Sequence, residues 1–119
     1  MNRIPDFGDV YVASLTVNGS VQGGIRPVII AQNNTGNQHS PTIEVIPMSS
    51  RVGKASYLPT HVVISAEQEN GLRQDSIALT EQTQTINQSQ LSRKLGHLTW
   101  NDLIRVGRAR RVQSPFPTE

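Results

Sequence analysis

Gly23-Gly24-Ile25-Arg26-Pro27 runs without a break into Val28-Ile29-Ile30, and few folds of a short chain can use such a stretch. Two adjacent glycines let the backbone turn sharply, because glycine reaches positive φ without steric cost. The apolar run that follows reads as a central strand, 27–32, buried on both faces. Pro27 fixes its own φ and pushes Arg26 towards an extended conformation. A planar, permanently charged guanidinium is thereby held between a flexible loop and a rigid element, where it can face a phosphate or a carboxylate. The residues alone leave a second reading open, in which Arg26 makes a structural ion pair at the start of the strand.

The other segments are short and separated by turn signals. A first strand over 10–15 ends at Asn18-Gly19-Ser20, and a loop over 16–25 follows. The polar cluster 33–37 reads as a turn outside the core. A third strand spans 43–48, with Pro47 marking an edge or a bulge because it cannot donate to a ladder. A loop over 51–59 leads to a fourth strand over 61–65. Ser65, with Gln68 three residues on and Gly71 at the end, suits one turn of helix. A fifth strand covers 76–80, Asn87 caps a short turn reaching Leu91, and 94–98 adds a last strand. The run 83–92 is polar but too short to be low-complexity.

One longer helix closes the chain. Thr99 and Asp102 form a capping pattern, Leu98 can staple onto Leu103, and Trp100, Leu103, Ile104 and Gly107 recur at helical spacing as an apolar stripe. Pro115 and Pro117 end it. The expected class is mainly β with helices, α+β: a small, strongly curved sheet or half-open barrel with helices packed on it.

A length of 119 residues fits one domain, 1–119, with flexible ends at 1–7 and 114–119. The absence of cysteine excludes a disulfide framework and a thiolate metal site. No apolar run approaches the roughly 20 residues of a spanning helix, and Met1-Asn2-Arg3-Ile4-Pro5 lacks the apolar core of a secretory signal. A cytoplasmic protein with no membrane contact is expected. The net charge of +2 is too small to indicate nucleic-acid binding by itself. Arg93, Lys94, Arg105, Arg108, Arg110 and Arg111 crowd the C-terminal part, however. They suit RNA, DNA or an acidic partner, or, in the helix, simply complement the negative end of its dipole.

His39, His61 and His97 are dispersed and have no acidic residue at ligand spacing, so no metal site is expected. No Gly-x-Ser-x-Gly elbow and no nucleotide-binding glycine loop occurs, so no cofactor is expected either. What remains is the loop arginine and a set of hydroxyls: Ser49, Ser50, Thr80 and Thr85. RNA cleavage suits such a set, because the substrate brings its own nucleophile, the 2′-OH, and an arginine can hold charge on phosphorus bidentately. Ser49 is equally readable as a strand-end turn former.

Several segments, in order and at their spacings, resemble the MazF/PemK family of bacterial toxins. They are Gly8-Asp9-Val10-Tyr11, Ser20, Gln22-Gly23-Gly24-Ile25-Arg26-Pro27-Val28-Ile29-Ile30, Gln32-Asn33, Ser40-Pro41-Thr42, Leu58-Pro59-Thr60-His61-Val62, Asp75-Ser76, Glu81-Gln82 and Thr85-Ile86. The resemblance implies an SH3-like, CcdB-like barrel with short helices and one C-terminal helix, usually a homodimer. It implies sequence-specific, metal-independent cleavage of single-stranded RNA by 2′-OH attack, held in check by a cognate antitoxin protein. Catalysis would rest on Arg26, for proton transfer and phosphorane charge, and on Ser49, which stands where the family has a threonine and would donate to a phosphate oxygen. Ser20, Gln22, Glu81 and Gln82 would bind the RNA, and some members use the position of Glu81 as a base. The chain departs from the family in having Gln74 before Asp75-Ser76 and Gln84 before Thr85-Ile86, where arginine is common, so the cut sequence does not carry over. Two other readings fit a barrel of this kind. Related CcdB toxins poison DNA gyrase by binding, but they use an aromatic-Gly-aliphatic C-terminus, unlike Pro115-Phe116-Pro117-Thr118-Glu119. A non-catalytic RNA- or protein-binding barrel is kept open by the serine at 49.

Overall fold

The computed structural model describes residues 4–16, 23–50 and 58–117. Seven strands and two α-helices follow in the order β1 (Asp9–Leu15), β2 (Gly24–Ile30), α1 (Asn34–His39), β3 (Thr42–Ser49), β4 (His61–Ile64), β5 (Ser76–Leu79), β6 (Gln84–Asn87), β7 (Leu91–His97) and α2 (Trp100–Gln113). Single 3-10 turns occupy Thr80–Gln82 and Gln88–Gln90. Every strand pairing is antiparallel, and the path runs β4-β5-β3-β2-β1-β7, with β6 alongside β3. The sheet is strongly bent but not closed, so the barrel expected from the sequence is a partial one.

Two cores form because alternate side chains on a strand point to opposite faces. Val10, Ile29, Ile46 and Met48 pack with Val62, Ile64, Leu98, Val106 and Ala109 under α2. Tyr11, Ala13, Leu15, Val28, Ile30, Ile43 and Val45 pack with Ile86 on the other side. The strand after Arg26 is thus buried on both faces, as its unbroken apolar run requires, although it starts earlier, at Gly24.

The structure corrects or refines four expectations. The cluster 33–37 is not a bare turn: Asn33 caps α1, accepting from the Gly36 amide at 2.8 Å, and Asn37 is buried and donates to the Gln32 carbonyl at 3.1 Å. Pro47 marks no bulge but a short local edge of β3. One side of β3 stays paired with β2, while the other passes from β6 at Val45 to β5 at Met48. Pro47 falls in that gap, where the missing N–H costs no bond on the side that changes partner. The turn after β4 is not a helix capped by Ser65. Asn70 organises it, accepting from the amides of Glu67 and Leu72 and donating to the Ser65 carbonyl at 2.9 Å. The polar run 83–92 supplies a whole strand, β6, and the start of β7.

The two ends of the sheet path meet. The His97 amide of β7 donates to the Glu69 carbonyl in the turn between β4 and β5, at 2.9 Å. A methyl group on Gly71, at φ +70°, would lie 2.1 Å from the Leu95 carbonyl oxygen, so only glycine allows the turn to lie against β7. Between this seam and β2, the concave face of the sheet leaves a groove.

The candidate active-site groove

Arg26 is fixed by backbone at both ends of its guanidinium. Nε donates to the Gly23 carbonyl at 2.9 Å and Nη1 to the Met48 carbonyl at 3.1 Å. Gly24, at φ +79°, makes the turn that folds Gly23 back onto this side chain. The half-buried Arg26 thus links the start of β2 to Met48, the residue that precedes Ser49, while Ser49 itself is not among the residues lining the groove around Arg26. Ser49 is the last residue of β3, half-buried, and paired with Ile77 of β5.

The groove in which Arg26 lies has a volume of about 420 Å³. Ile25, Pro27, Met48, Leu72 and Leu95 form its apolar surface, and Ser50, Gln74, Ser76, Arg73 and Arg93 are polar along its walls. No carboxylate or imidazole is among its described lining residues. Such a slot suits a polyanion whose bases lie on apolar side chains while its phosphates meet guanidinium groups.

Not every expected residue lies there. Glu81 sits in the 3-10 turn after β5, where Oε1 accepts from the Thr60 hydroxyl at 3.0 Å and Oε2 meets His61 Nε2 at 3.0 Å. It lines a separate hollow of about 200 Å³ with Glu44, Thr80, Thr83 and Arg110 beneath α2, so it is not a wall of the Arg26 groove. The carboxylate instead ties the entry of β4 to the exit of β5. Gln82 follows in the same turn and is half-buried, but it does not line the groove either. Ser20 and Gln22 lie outside the described residues. Sequence reading did not single out Arg73 or Gln74 as walls of the groove, nor Arg93 as distinct from the general basic surface. The signal was faint: Arg73 stands one residue before the position where the family usually has its arginine. Among the described residues no group of three or more His, Asp and Glu side chains gathers to hold a metal ion.

Comparison with known proteins decides the family. Residues 6–113 match the model of the PemK-like, MazF-like toxin of type II toxin–antitoxin systems. The chain belongs to that family. Its relatives include a protein of Staphylococcus saprophyticus named Endoribonuclease MazF, 46% identical over 103 residues, which are 86% of this chain and 84% of the relative. Among solved structures, a MazF from Deinococcus radiodurans superposes with a TM-score of 0.83 at 20% identity, covering 97% of this chain and all of the other. An endoribonuclease from a mycobacterial species, solved in complex with its cognate antitoxin, superposes with a TM-score of 0.72 at 21% identity over the full length of both chains. These superpositions establish the fold. In that MazF-like frame, the Gly-Gly-Ile-Arg-Pro segment opens β2 and the Leu-Pro-Thr-His segment leads into β4. The Glu-Gln pair occupies the 3-10 turn that packs beside α2.

Proposed function

We propose that the chain is an endoribonuclease toxin that cuts single-stranded RNA at a specific sequence without a metal ion, in the cytoplasm, and is neutralised by a cognate antitoxin protein. The observation that carries this reading is the 46% identity, across most of both chains, to a relative named as an endoribonuclease. The placing of Arg26 against the strand that ends in Ser49 supports it chemically. In the cleavage step the 2′-oxygen forms a bond to phosphorus and the bond from phosphorus to the 5′-oxygen breaks. The 2′-hydroxyl proton leaves to a base, and the departing 5′-oxygen takes one up. The products are a 2′,3′-cyclic phosphate and a 5′-hydroxyl. Arg26 assists the proton transfers and holds the negative charge that develops on phosphorus. Ser49 donates its hydroxyl to a nonbridging oxygen, Ser20 and Gln22 contact the RNA, and Gln82 meets it only where the strand runs beyond the groove around Arg26. For Glu81 the contacts with Thr60 and His61 favour a structural tie instead.

A homodimer fits the exposed apolar side chains of Leu58, Trp100, Ile104 and Val112, which a monomer would leave in water. No helix among the described residues is long and apolar enough to cross a membrane.

Arg26→Ala tests the reading. Removing a preorganised donor of this kind costs on the order of 10²–10³ in rate, so cleavage of a long single-stranded RNA falls by at least that much, with the circular dichroism spectrum unchanged. Wild-type cleavage continues in EDTA. Undiminished cutting by the variant would remove Arg26 from the mechanism, and loss of wild-type activity on chelation would remove the metal-free step.

A further inference from the structure

We infer that Arg73 and Arg93 are the phosphate-holding side chains of this groove and grip the RNA backbone on either side of Arg26. The inference rests on the reading of the chain as an RNA-cutting enzyme and goes beyond it, because it assigns binding to two residues outside the family's arginine positions.

Three observations converge. First, both side chains line the same groove as Arg26, from different walls: Arg93 from β7, and Arg73 from the turn that enters β5. Across the sheet, Arg93 is paired with Val12, and Val12 with Pro27, so the three lie in one row over β7, β1 and β2. Two inter-strand spacings of about 4.8 Å put the backbone of Arg93 roughly 10 Å from that of Pro27, next to Arg26. Second, the β1–β7 register slips on both sides of this row, between Val10 and Tyr11 and again between Val12 and Ala13. Slips of this kind bend a strand and re-aim its side chains. Third, Arg73 and Arg93 are exposed, and no described carboxylate pairs with either, whereas Lys94, Arg105 and Arg110 are matched to Asp9, Asp102 and Glu44. Three guanidinium groups in a slot without an acidic lining residue make a strongly positive track for a polyanion. The loss of arginine at Gln74 is then made good by its neighbour, Arg73, on the same wall.

Phosphate contacts position a strand and carry no sequence information. Each neutralised phosphate of a single strand contributes about 0.7 to the slope of log K against log salt. Binding of short random-sequence 2′-O-methyl oligonucleotides, which cannot be cleaved, is measured by fluorescence anisotropy over a range of salt concentrations. Arg73→Gln and Arg93→Gln each lower the slope by about 0.7 and weaken binding about fivefold at 0.1 M salt, whereas Arg73→Lys and Arg93→Lys keep the wild-type slope. In cleavage assays the glutamine variants raise KM by a similar factor, hold kcat within about twofold, and cut at the same sequences. An unchanged slope in both glutamine variants, or an altered cut sequence with an unchanged slope, overturns the inference. The two readings fail separately. Salt-dependent binding without any RNA cutting sinks the nuclease and leaves the phosphate grip. Cutting by a protein whose glutamine variants bind as wild type does the reverse.

Discussion

At the scale of single residues, the site depends on how Arg26 is restrained. A surface arginine would lose rotamer freedom worth about 2 kcal/mol on meeting a phosphate. Here Gly23 and Met48 already hold the guanidinium through their carbonyls, at 2.9 and 3.1 Å, so part of that ordering precedes substrate. Ser49 differs in this respect. A serine hydroxyl turns more freely than the hydroxyl of a β-branched threonine. Ser49→Thr is therefore expected to retain or raise the cleavage rate, and Ser49→Ala to lower it by about 10²-fold, the loss typical of one charge-stabilising donor. Rates on a long single-stranded RNA check both, and wild-type cutting by Ser49→Ala would exclude its role. Arg26 and Ser49 can be nominated from sequence because each stands at a local signal, a glycine hinge and a strand end. Arg93 cannot, because what distinguishes it is a register slip between β1 and β7, and no single segment encodes that.

At the scale of elements, α2 shows where periodicity informs and where it misleads. Its start was readable: Thr99 accepts from the Asp102 amide at 3.2 Å, and Leu98 and Leu103 both meet the core under the helix. Of the expected stripe Trp100-Leu103-Ile104-Gly107, Leu103 packs against the core, whereas Trp100 and Ile104 are exposed. Val106 and Ala109 are the buried residues, and Trp100 is 74% exposed. Helical spacing identifies neighbours on a cylinder, but which side faces the sheet depends on how the chain leaves β7. Val106→Ala should destabilise the fold by about 1.5–2.5 kcal/mol, from two lost methylenes plus a partial cavity. Trp100→Ala should change monomer stability by about 0.5 kcal/mol or less. Urea denaturation at protein concentrations low enough to keep the chain monomeric separates them, and equal effects there would contradict the observed facing of α2. The polar strand β6 escaped notice for a related reason. Only Ile86 among its four residues is buried, and its place is secured by the free edge of β3, not by its own composition.

At the scale of the whole molecule, the groove owes its shape to the bend of one sheet. Its walls come from the two ends of the strand path, and the His97–Glu69 bond and the contact at Gly71 hold those ends together. Gly71→Ala combines a clash with backbone at 2.1 Å and a side chain at φ +70°, so destabilisation of about 3 kcal/mol or more is expected. Thermal denaturation measures it, and a loss below about 0.5 kcal/mol would mean that the seam yields easily. That the chain makes a bent antiparallel sheet with a closing helix was readable from its short strands and turn signals. How far the sheet curls was not, since that depends on contacts between residues some 25 positions apart.

The seam also has a mechanical corollary. Because both jaws of the slot are parts of one continuous ribbon, they have no hinge about which to swing. Their gauge changes only if the ribbon itself uncurls, and that means parting Glu69 from His97. The spacing between the walls that flank Arg26 is therefore set by the curl of the sheet before any strand of RNA arrives.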